Sequence, residues 1–256
     1  MKYYKTSEIA KMVGVHPNTV RLYEEWGFLQ VIPRNSSGYR VFTEEHLEQM
    51  KLARMALRCQ FVEGNIRKMA AAIVRTAAQG NLKEALEKAF NYLLHIKNER
   101  VRAEEVLDLI DKWINGEMDK DTGIYYKRMN VAKLLNVSID VLRNWERNGL
   151  IDTPRNDKNN YRMYGPYEIN RIKVIRTLRS ANYSIMSIHR MLRFIDKGQK
   201  DNIKELINTP LPHEDIISAT DRWISTLIES EKDARDVINQ LKKMNRINYK
   251  DTSNKP

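Results

Sequence analysis

The stretch that decides the fold is TVRLYEEWGFL, residues 19–29, because a close variant, VLRNWERNGLI, returns at residues 141–151. Laying Tyr3 on Tyr125 gives an offset of 122 residues, at which the flanking sequence also aligns almost without a gap. The tripeptide PRN recurs one residue out of step, which places a compensating insertion in the loop after it. A period this long far exceeds the roughly 20–50 residues of solenoid repeats, so it indicates a domain duplication.

Each repeat has the pattern of a helix-turn-helix followed by a wing. In the first repeat, Thr6 starts a helix that ends at Gly14, and Pro17 suits the first turn of a second helix that ends at Gly27. Two short extended stretches then flank the polar turn at residues 35–38, which predicts a β-hairpin. The predicted fold is mainly α, with two winged helix-turn-helix domains, each with a small β-hairpin wing and each followed by a long coiled-coil-type helix.

The pattern divides the chain into five segments. The two winged helix domains take residues 1–78 and 122–212, a long helix and linker takes 79–121, and a second long helix takes 213–246. Residues 247–256 are expected to form a disordered tail, because they are few and mostly polar. The surplus of positive charge lies in the two repeats, whereas the segment after each is acidic or neutral. This partition predicts two anion-binding heads carried by helical spacers.

Composition excludes several classes of protein. The 256 residues carry a net charge of +11 and a single cysteine, which rules out a disulfide framework and any multi-thiolate metal site. The five histidines lack metal-ligand spacing, and no glycine-rich phosphate loop or nucleophile motif occurs, so we expect no metal, no cofactor and no enzymatic activity. No apolar run approaches the roughly 20 residues that span a bilayer, and the N-terminus lacks a signal-peptide core. A cytoplasmic protein with an anionic partner is expected.

Two strings, TVRLYEEWGFL…PRNSSGYRVF and VLRNWERNGLI…PRNDKNNYRMY, resemble the MerR family of bacterial winged-helix transcription regulators. The resemblance covers about 70 residues of each repeat. It implies double-stranded DNA as the partner, RNA polymerase at a promoter as a second partner, and a location at the nucleoid. Family members carry one such domain and dimerise, whereas this chain carries two. The second copy is less faithful, since Trp145 replaces Tyr23 and Asn160 stands where the first wing has Gly38.

DNA contacts are expected on the second helix and the wing of each repeat. The first residues of that helix reach base edges in helix-turn-helix proteins, so His16, Asn18 and Thr19 are the expected base readers, with Ser138 as a counterpart in the second repeat. Asp140 is acidic and is expected to cap its helix, which would make the second head a weak reader. For the two helix aromatics in the following list, core packing is the open alternative. The remaining expected contacts, mainly with phosphate, are Arg21, Tyr23, Arg34, Tyr39, Arg40, Arg143, Trp145, Arg147, Arg155, Tyr161 and Arg162.

The two long helices carry heptad stripes of apolar residues, interrupted by Arg100 in the first and by Glu231 in the second. An antiparallel pair of these unlike helices would place Arg100 near Glu231, whereas a pair of identical helices would place Arg100 near its own symmetry mate, where like charges repel. The sequence therefore favours an intramolecular pseudo-dimer or a domain-swapped version of it, with a homodimer that pairs identical helices as the alternative. The residues expected to pair the helices are Leu93, Ile96, Arg100, Leu107, Ile224, Leu227, Glu231 and Ile238.

These features predict a sequence-specific transcription regulator that acts as a covalent pseudo-dimer, or as a dimer, on an asymmetric operator, because the base-reading sets of the two heads differ. The resemblance implies that it bends or untwists promoter DNA. The alternative is a protein that organises or bridges DNA without a small-molecule inducer, since nothing after the second long helix resembles an effector domain. The metal-sensing branch of the family does not fit, because it places two cysteines near the coiled coil. The operator, any effector and the direction of regulation stay open.

Overall fold

The computed structural model describes residues 2–58, 65–118, 123–157, 159–199, 201–210 and 219–253. The chain divides into two compact units, of which unit 1 is Met1–Asn98 with Leu227–Pro256 and unit 2 is Glu99–Thr226. The helices in the described residues are α1 (Thr6–Val13), α2 (Pro17–Glu25), α3 (Glu44–Ala56), α4 (Asn65–Ala78), α5 (Leu82–Ile114), α6 (Arg128–Leu134), α7 (Ile139–Arg147), α8 (Pro166–Ser180), α9 (Ile185–Asp196), α10 (Ile203–Asn208), a 3-10 turn (Ala219–Arg222) and α11 (Trp223–Ser253).

The first head consists of α1 to α4 and the second of α6 to α9. Each head buries an apolar core at the same positions of the repeat, and burying such a side chain contributes about 1.5–3 kcal/mol. The matched buried pairs are Ile9 and Val131, Val20 and Leu142, Phe28 and Leu150, Phe42 and Tyr164, Met50 and Ile172, and Ile66 and Ile188. The duplication inferred from the sequence is therefore also a duplication of the core.

The turn between the first two helices of each head needs a left-handed residue. Gly14 has φ +67° in the first head, and Asn136 at the matched position has φ +48°. The wing turn shows the same exchange, with Gly38 at φ +79° and Asn160 at φ +57°. Asparagine is among the few side chains that tolerate this conformation, so the second copy keeps the backbone path without the glycine.

The β-hairpin wings predicted from the sequence are not confirmed, since the described residues contain no β-strand. Each wing is instead a turn closed by one isolated antiparallel bridge, between Arg34 and Arg40 in the first head and between Arg155 and Arg162 in the second. Inside the first wing, Oδ1 of Asn35 accepts hydrogen bonds from the backbone N–H of Ser37 at 3.1 Å and from that of Tyr39 at 2.9 Å. The ladder stops at Pro33 and at Pro154, because these residues accept from Val41 and Met163 but have no N–H to donate in return.

The long helix α5 contributes residues 82–98 to unit 1 and residues 99–114 to unit 2. The heptad stripe in the sequence runs over residues 82–114, the bounds that α5 has. The other long helix, α11, begins at Trp223 and continues to Ser253, past the end at 246 expected from the sequence and into the segment expected to be a disordered tail. Its apolar stripe persists through Met244, which is buried.

In unit 1 the first head packs against the C-terminal part of α11. The carboxylate of Glu48 on α3 accepts hydrogen bonds from Gln240 and from Lys243, both at 2.7 Å. The ammonium of Lys242 lies 5.7 Å from the centre of the Phe90 ring on α5. Unit 1 therefore joins the first head to the helix that follows the second head.

In unit 2 the second head packs against the C-terminal half of α5. The hydroxyl of Tyr183 donates to the carbonyl of Ala103 at 3.2 Å, and the rings of Trp113 and Tyr167 lie 5.9 Å apart. Unit 2 thus joins the second head to the helix that follows the first head. Within the described residues, no helix is long and apolar enough to cross a membrane.

Candidate nucleic-acid interface

Each recognition helix, α2 and α7, begins with a side-chain cap. The Nδ1 atom of His16 accepts a hydrogen bond from the backbone N–H of Asn18 at 3.2 Å. The Oγ atom of Ser138 accepts one from the backbone N–H of Val141 at 3.1 Å. The expectation that Asp140 caps α7 is wrong, because Ser138 provides that cap. His16 and Ser138, expected to read bases, are thus already engaged by their own helices.

The exposed face of each recognition helix starts with a polar pair one turn apart. In α2 the Nη1 atom of Arg21 donates to Oδ1 of Asn18 at 3.3 Å, and in α7 the Nη1 atom of Arg143 donates to Oδ1 of Asp140 at 2.9 Å. These four side chains are exposed, whereas Thr19, the third expected base reader, is half-buried. The two heads present the same arrangement, with a neutral amide in one and a carboxylate in the other.

The last turn of the recognition helix also differs in charge between the heads. Arg147 is exposed at the end of α7, and Glu25 is exposed at the matched position of α2. The face of the first head therefore carries Arg21 with one acidic residue, while that of the second carries Arg143 and Arg147 with one acidic residue, Asp140. The exposed faces of the two recognition helices therefore differ in charge.

In the first head, the wing is tied to the recognition helix by one ion pair. The Nε atom of Arg40 lies 2.7 Å from a carboxylate oxygen of Glu24, and both side chains are about one quarter exposed. Arg40 was expected to contact phosphate. Its Nε donates to Glu24 within the head instead.

In the second head, the same tie is larger. Glu146, only 8% exposed, lies 2.7 Å from Nη2 of Arg128 and 3.3 Å from Nε of Arg162. The hydroxyl of Tyr164 also donates to this carboxylate. Burial raises the pKa of Tyr164, and donation to Glu146 raises it further. This cluster fixes the wing of the second head to the recognition helix more firmly than a single pair can.

The wing tips present aromatic and basic side chains to solvent. Tyr39 is 73% exposed and Tyr161 is 62% exposed. The guanidinium of Arg34 donates to the carbonyl of Gly38 at 3.0 Å, and that of Arg155 donates to the carbonyl of Asn160 at 3.1 Å. Each arginine stiffens its turn through one nitrogen and stays exposed, which suits a contact with a phosphate.

Two of the expected DNA contacts lie inside the heads. Tyr23 and Trp145, at matched positions of α2 and α7, are both buried. The Tyr23 ring lies 5.7 Å from that of Phe28 in an edge-to-face arrangement, and burial raises the pKa of its hydroxyl. Tyr23 and Trp145 are therefore core residues and not DNA contacts, because the inner face of a helix that packs on a core cannot also face DNA. They hold the recognition helices in place.

Most residues expected to pair the long helices are sequestered from solvent. Arg100 donates to Glu104 at 2.9 Å and Glu231 accepts from Arg235 at 2.9 Å, each within its own helix. A contact between Arg100 and Glu231 stays a prediction. The buried members of the set are Ile96, Leu107, Leu227, Glu231 and Ile238, and the half-buried members are Leu93, Arg100 and Ile224.

The sequence-based reasoning missed the residues that fix the wings. Glu24 and Glu146 match at the repeat offset, but no role was assigned to them; an acidic residue on a basic DNA-binding helix needs a partner, and this could have pointed to their ion pairs. Arg128 gave no such signal, since the first repeat has Thr6 in its place. In the part of the chain that the structure describes, no cluster of His, Cys, Asp or Glu could hold a metal ion.

Comparison with known proteins identifies relatives of both heads. Residues 4–72 and residues 126–195 each match the model of the MerR HTH family of regulatory proteins. The HTH-type transcriptional regulator ZntR of Escherichia coli K12 is 35% identical over 66 residues, which cover 26% of this chain and 47% of that protein. The HTH-type transcriptional regulator CueR of Escherichia coli O6:H1 is 36% identical over 55 residues, or 22% of this chain and 41% of that protein. The chain thus spans under half the length of these relatives. No solved structure matches significantly.

Proposed function

The chain belongs to the MerR HTH family of DNA-binding transcription regulators, and we propose that a single chain acts as a covalent pseudo-dimer on an asymmetric operator. Both heads have the core and the recognition helix needed to enter a major groove. The observation that carries the proposal is the difference between their exposed faces, Asn18 with Arg21 in one head and Asp140 with Arg143 in the other. A palindrome would offer the same bases to two unlike surfaces.

The internal make-up of the two units supports the pseudo-dimer. Unit 1 contains the first head with the C-terminal part of α11, and unit 2 contains the second head with the C-terminal half of α5. In unit 1, Leu82 and Met244 line one cavity, while Phe90 lies beside Lys242. Leu82, nearer the start of α5, lies with the later residue of α11, and Phe90 lies beside the earlier one. This is the order expected of an antiparallel pair. A dimer of identical chains would have to make this arrangement between two molecules.

By analogy with the family, the outcome of binding is a distortion of the promoter. Two heads in successive major grooves lie about 34 Å apart, or a small multiple of that distance. Bending or untwisting the DNA between them costs a few kcal/mol, which the phosphate contacts of both heads must offset. RNA polymerase would then engage the distorted promoter, and we propose that regulation occurs in the cytoplasm, on the nucleoid, by binding without catalysis.

The mass of the complex tests the proposal directly. Light scattering of the full chain at about physiological salt, alone and on DNA recovered by selection from a random library, is expected to give one chain per asymmetric site. Two chains per site, and hence four heads, would contradict the pseudo-dimer and support the alternative in which the protein bridges or organises DNA. Recovery of no enriched sequence at all would contradict sequence-specific regulation.

Replacing Arg21 with alanine is expected to weaken binding to all DNA sequences about equally, by roughly fivefold. Arg21 stands one turn behind the base-reading end of α2, where a guanidinium reaches phosphate instead of base edges. Because one phosphate contact is lost, the slope of log K against log salt should become less steep by about 1. Fluorescence anisotropy on the selected operator and on an unrelated duplex, at several salt concentrations, measures both quantities.

Lys97→Ala is the matched control, because Lys97 is exposed on α5, outside both heads, and its loss changes the net charge by the same amount. The control should leave the salt slope unchanged within error. An Arg21→Ala protein with the slope of the control, or with weakened binding to the selected operator alone, would remove Arg21 from the set of phosphate contacts.

A further inference from the structure

The second residues of the two recognition helices occupy matched positions but differ in chemistry, since one is a neutral amide and the other a carboxylate. Asn18 in α2 and Asp140 in α7 are both exposed, and the Asp140 side chain is 85% exposed. Neither caps its own helix, since His16 and Ser138 supply the caps. Both side chains thus lie at the helix end that reaches base edges in helix-turn-helix proteins.

Their hydrogen-bonding capacity differs in one respect. An asparagine amide has a donor and an acceptor, which match the N7 acceptor and the N6 amino group of adenine in the major groove. An ionised aspartate only accepts, and the cytosine N4 amino group is the donor that carboxylates read there. We propose that Asp140 makes the second head select cytosine at the base position where Asn18 makes the first head select adenine. This inference rests on the proposed function and names the sequence difference between the two half-sites.

Arg143 allows the carboxylate of Asp140 to approach DNA, for two reasons. Arg143 holds one carboxylate oxygen at 2.9 Å, so the second oxygen is left for a base. The positive charge one turn away also offsets the repulsion between the carboxylate and the phosphates, which an isolated aspartate would meet. In the first head, Arg21 holds the amide oxygen of Asn18 more loosely, at 3.3 Å, and the amide NH₂ remains a donor.

A purely structural role for Asp140 makes a different prediction. An acidic residue in the first turn stabilises a helix through its dipole, and α2 has no acidic residue there. If this were its task, replacement of Asp140 would lower the stability of the second head slightly and weaken binding at every base alike. Base selectivity separates the two roles, because a structural residue does not change which base is preferred.

The experiment uses the full chain and DNA duplexes that differ in one atom group. At the cytosine that the second head prefers, N4-methylcytosine keeps pairing with guanine but replaces the N–H that points into the groove by a methyl group. We expect wild-type affinity to fall about tenfold on this duplex. 5-Methylcytosine keeps that N–H and serves as the control, with affinity expected within about twofold of cytosine.

Exchanging the two side chains completes the test. Asp140→Asn should abolish the effect of N4-methylation and shift the preferred base from cytosine toward adenine in that half-site only, while Asn18→Asp should shift the other half-site toward cytosine. Circular dichroism confirms that each variant is folded. Wild-type binding that ignores N4-methylation, or an Asp140→Asn protein with an unchanged base preference, overturns the inference. Those results would leave sequence-specific binding intact, whereas a wild-type chain with no base preference anywhere would instead contradict the proposed function.

Discussion

Replacing Glu146 with alanine is expected to lower the free energy of unfolding of the second head by about 3 kcal/mol. The buried carboxylate is contacted by Arg128, Arg162 and Tyr164, so its removal leaves two cations without their shared counter-charge and a buried hydroxyl short of an acceptor. Both arginines are partly exposed, which keeps the loss at the lower end of the range for broken buried pairs. Hydrogen exchange of the α7 amides, measured by mass spectrometry, reports this head separately from the rest of the chain.

Glu24→Ala is the matched control, since Glu24 occupies the same position of the repeat and its ion pair with Arg40 is the single counterpart of the larger cluster. Loss of this ion pair should lower the free energy of unfolding of the first head by about 0.5–1 kcal/mol, because a partly exposed ion pair stabilises a protein only weakly. Equal losses in the two heads would show that the cluster around Glu146 adds nothing beyond one ion pair.

Replacing Glu48 with glutamine is expected to lower the stability of unit 1 by about 3 kcal/mol at neutral pH. Burial alone would raise the pKa of Glu48, but hydrogen bonds from Lys243, Lys51 and Gln240 outweigh it and lower the pKa from 4.5 to about 2. A carboxylate whose pKa is lowered by folding stabilises the protein above its unfolded value. That stabilisation is lost as the pH falls from about 4.5 toward 2, because the unfolded chain then binds a proton that the folded protein does not.

The pH profile therefore distinguishes the charge from the packing. Wild-type unit 1 should lose protection of the α3 amides as the pH falls from about 4.5 to about 2, whereas the Glu48→Gln protein should start lower and change little over this interval. The second head supplies an internal control, because the neutral Asn170 stands at the matched position on α8. Protection of α8 should not follow the same curve. Parallel curves for the wild type and the variant would mean that Glu48 is not the titrating group.

Local features of the fold could be predicted from the sequence because the repeat supplied each of them twice. The left-handed turns at Gly14 and Asn136 follow from residues that tolerate that conformation, and the bounds of α5 follow from its heptad stripe. The wings were predicted as hairpins because two short extended stretches flank a polar turn in each repeat. Each wing instead has one isolated bridge beside a proline, Pro33 or Pro154, which cannot donate to a ladder, and the hydrophobic pattern does not show this.

The contacts between distant segments could not be predicted. Periodicity places Glu48 on α3 and Gln240 on α11, but it does not reveal that a helix following one head packs against the other. Exposure was equally hidden for Tyr23, because an aromatic residue on a short amphipathic helix suits the core and the DNA surface alike. The role of Asp140 was misjudged for a related reason, since aspartate and serine are both good caps and only the geometry shows that Ser138 is used.

The first head has Asn18 at the position where the second has Asp140, and this difference affects how such a protein evolves. In a regulator built from two identical chains, one codon change alters both recognition surfaces at once, and the operator must change in both halves to follow it. Here a codon change reaches one surface only. A binding site can then drift one half at a time, with the unchanged half retaining the protein on DNA while the other adapts.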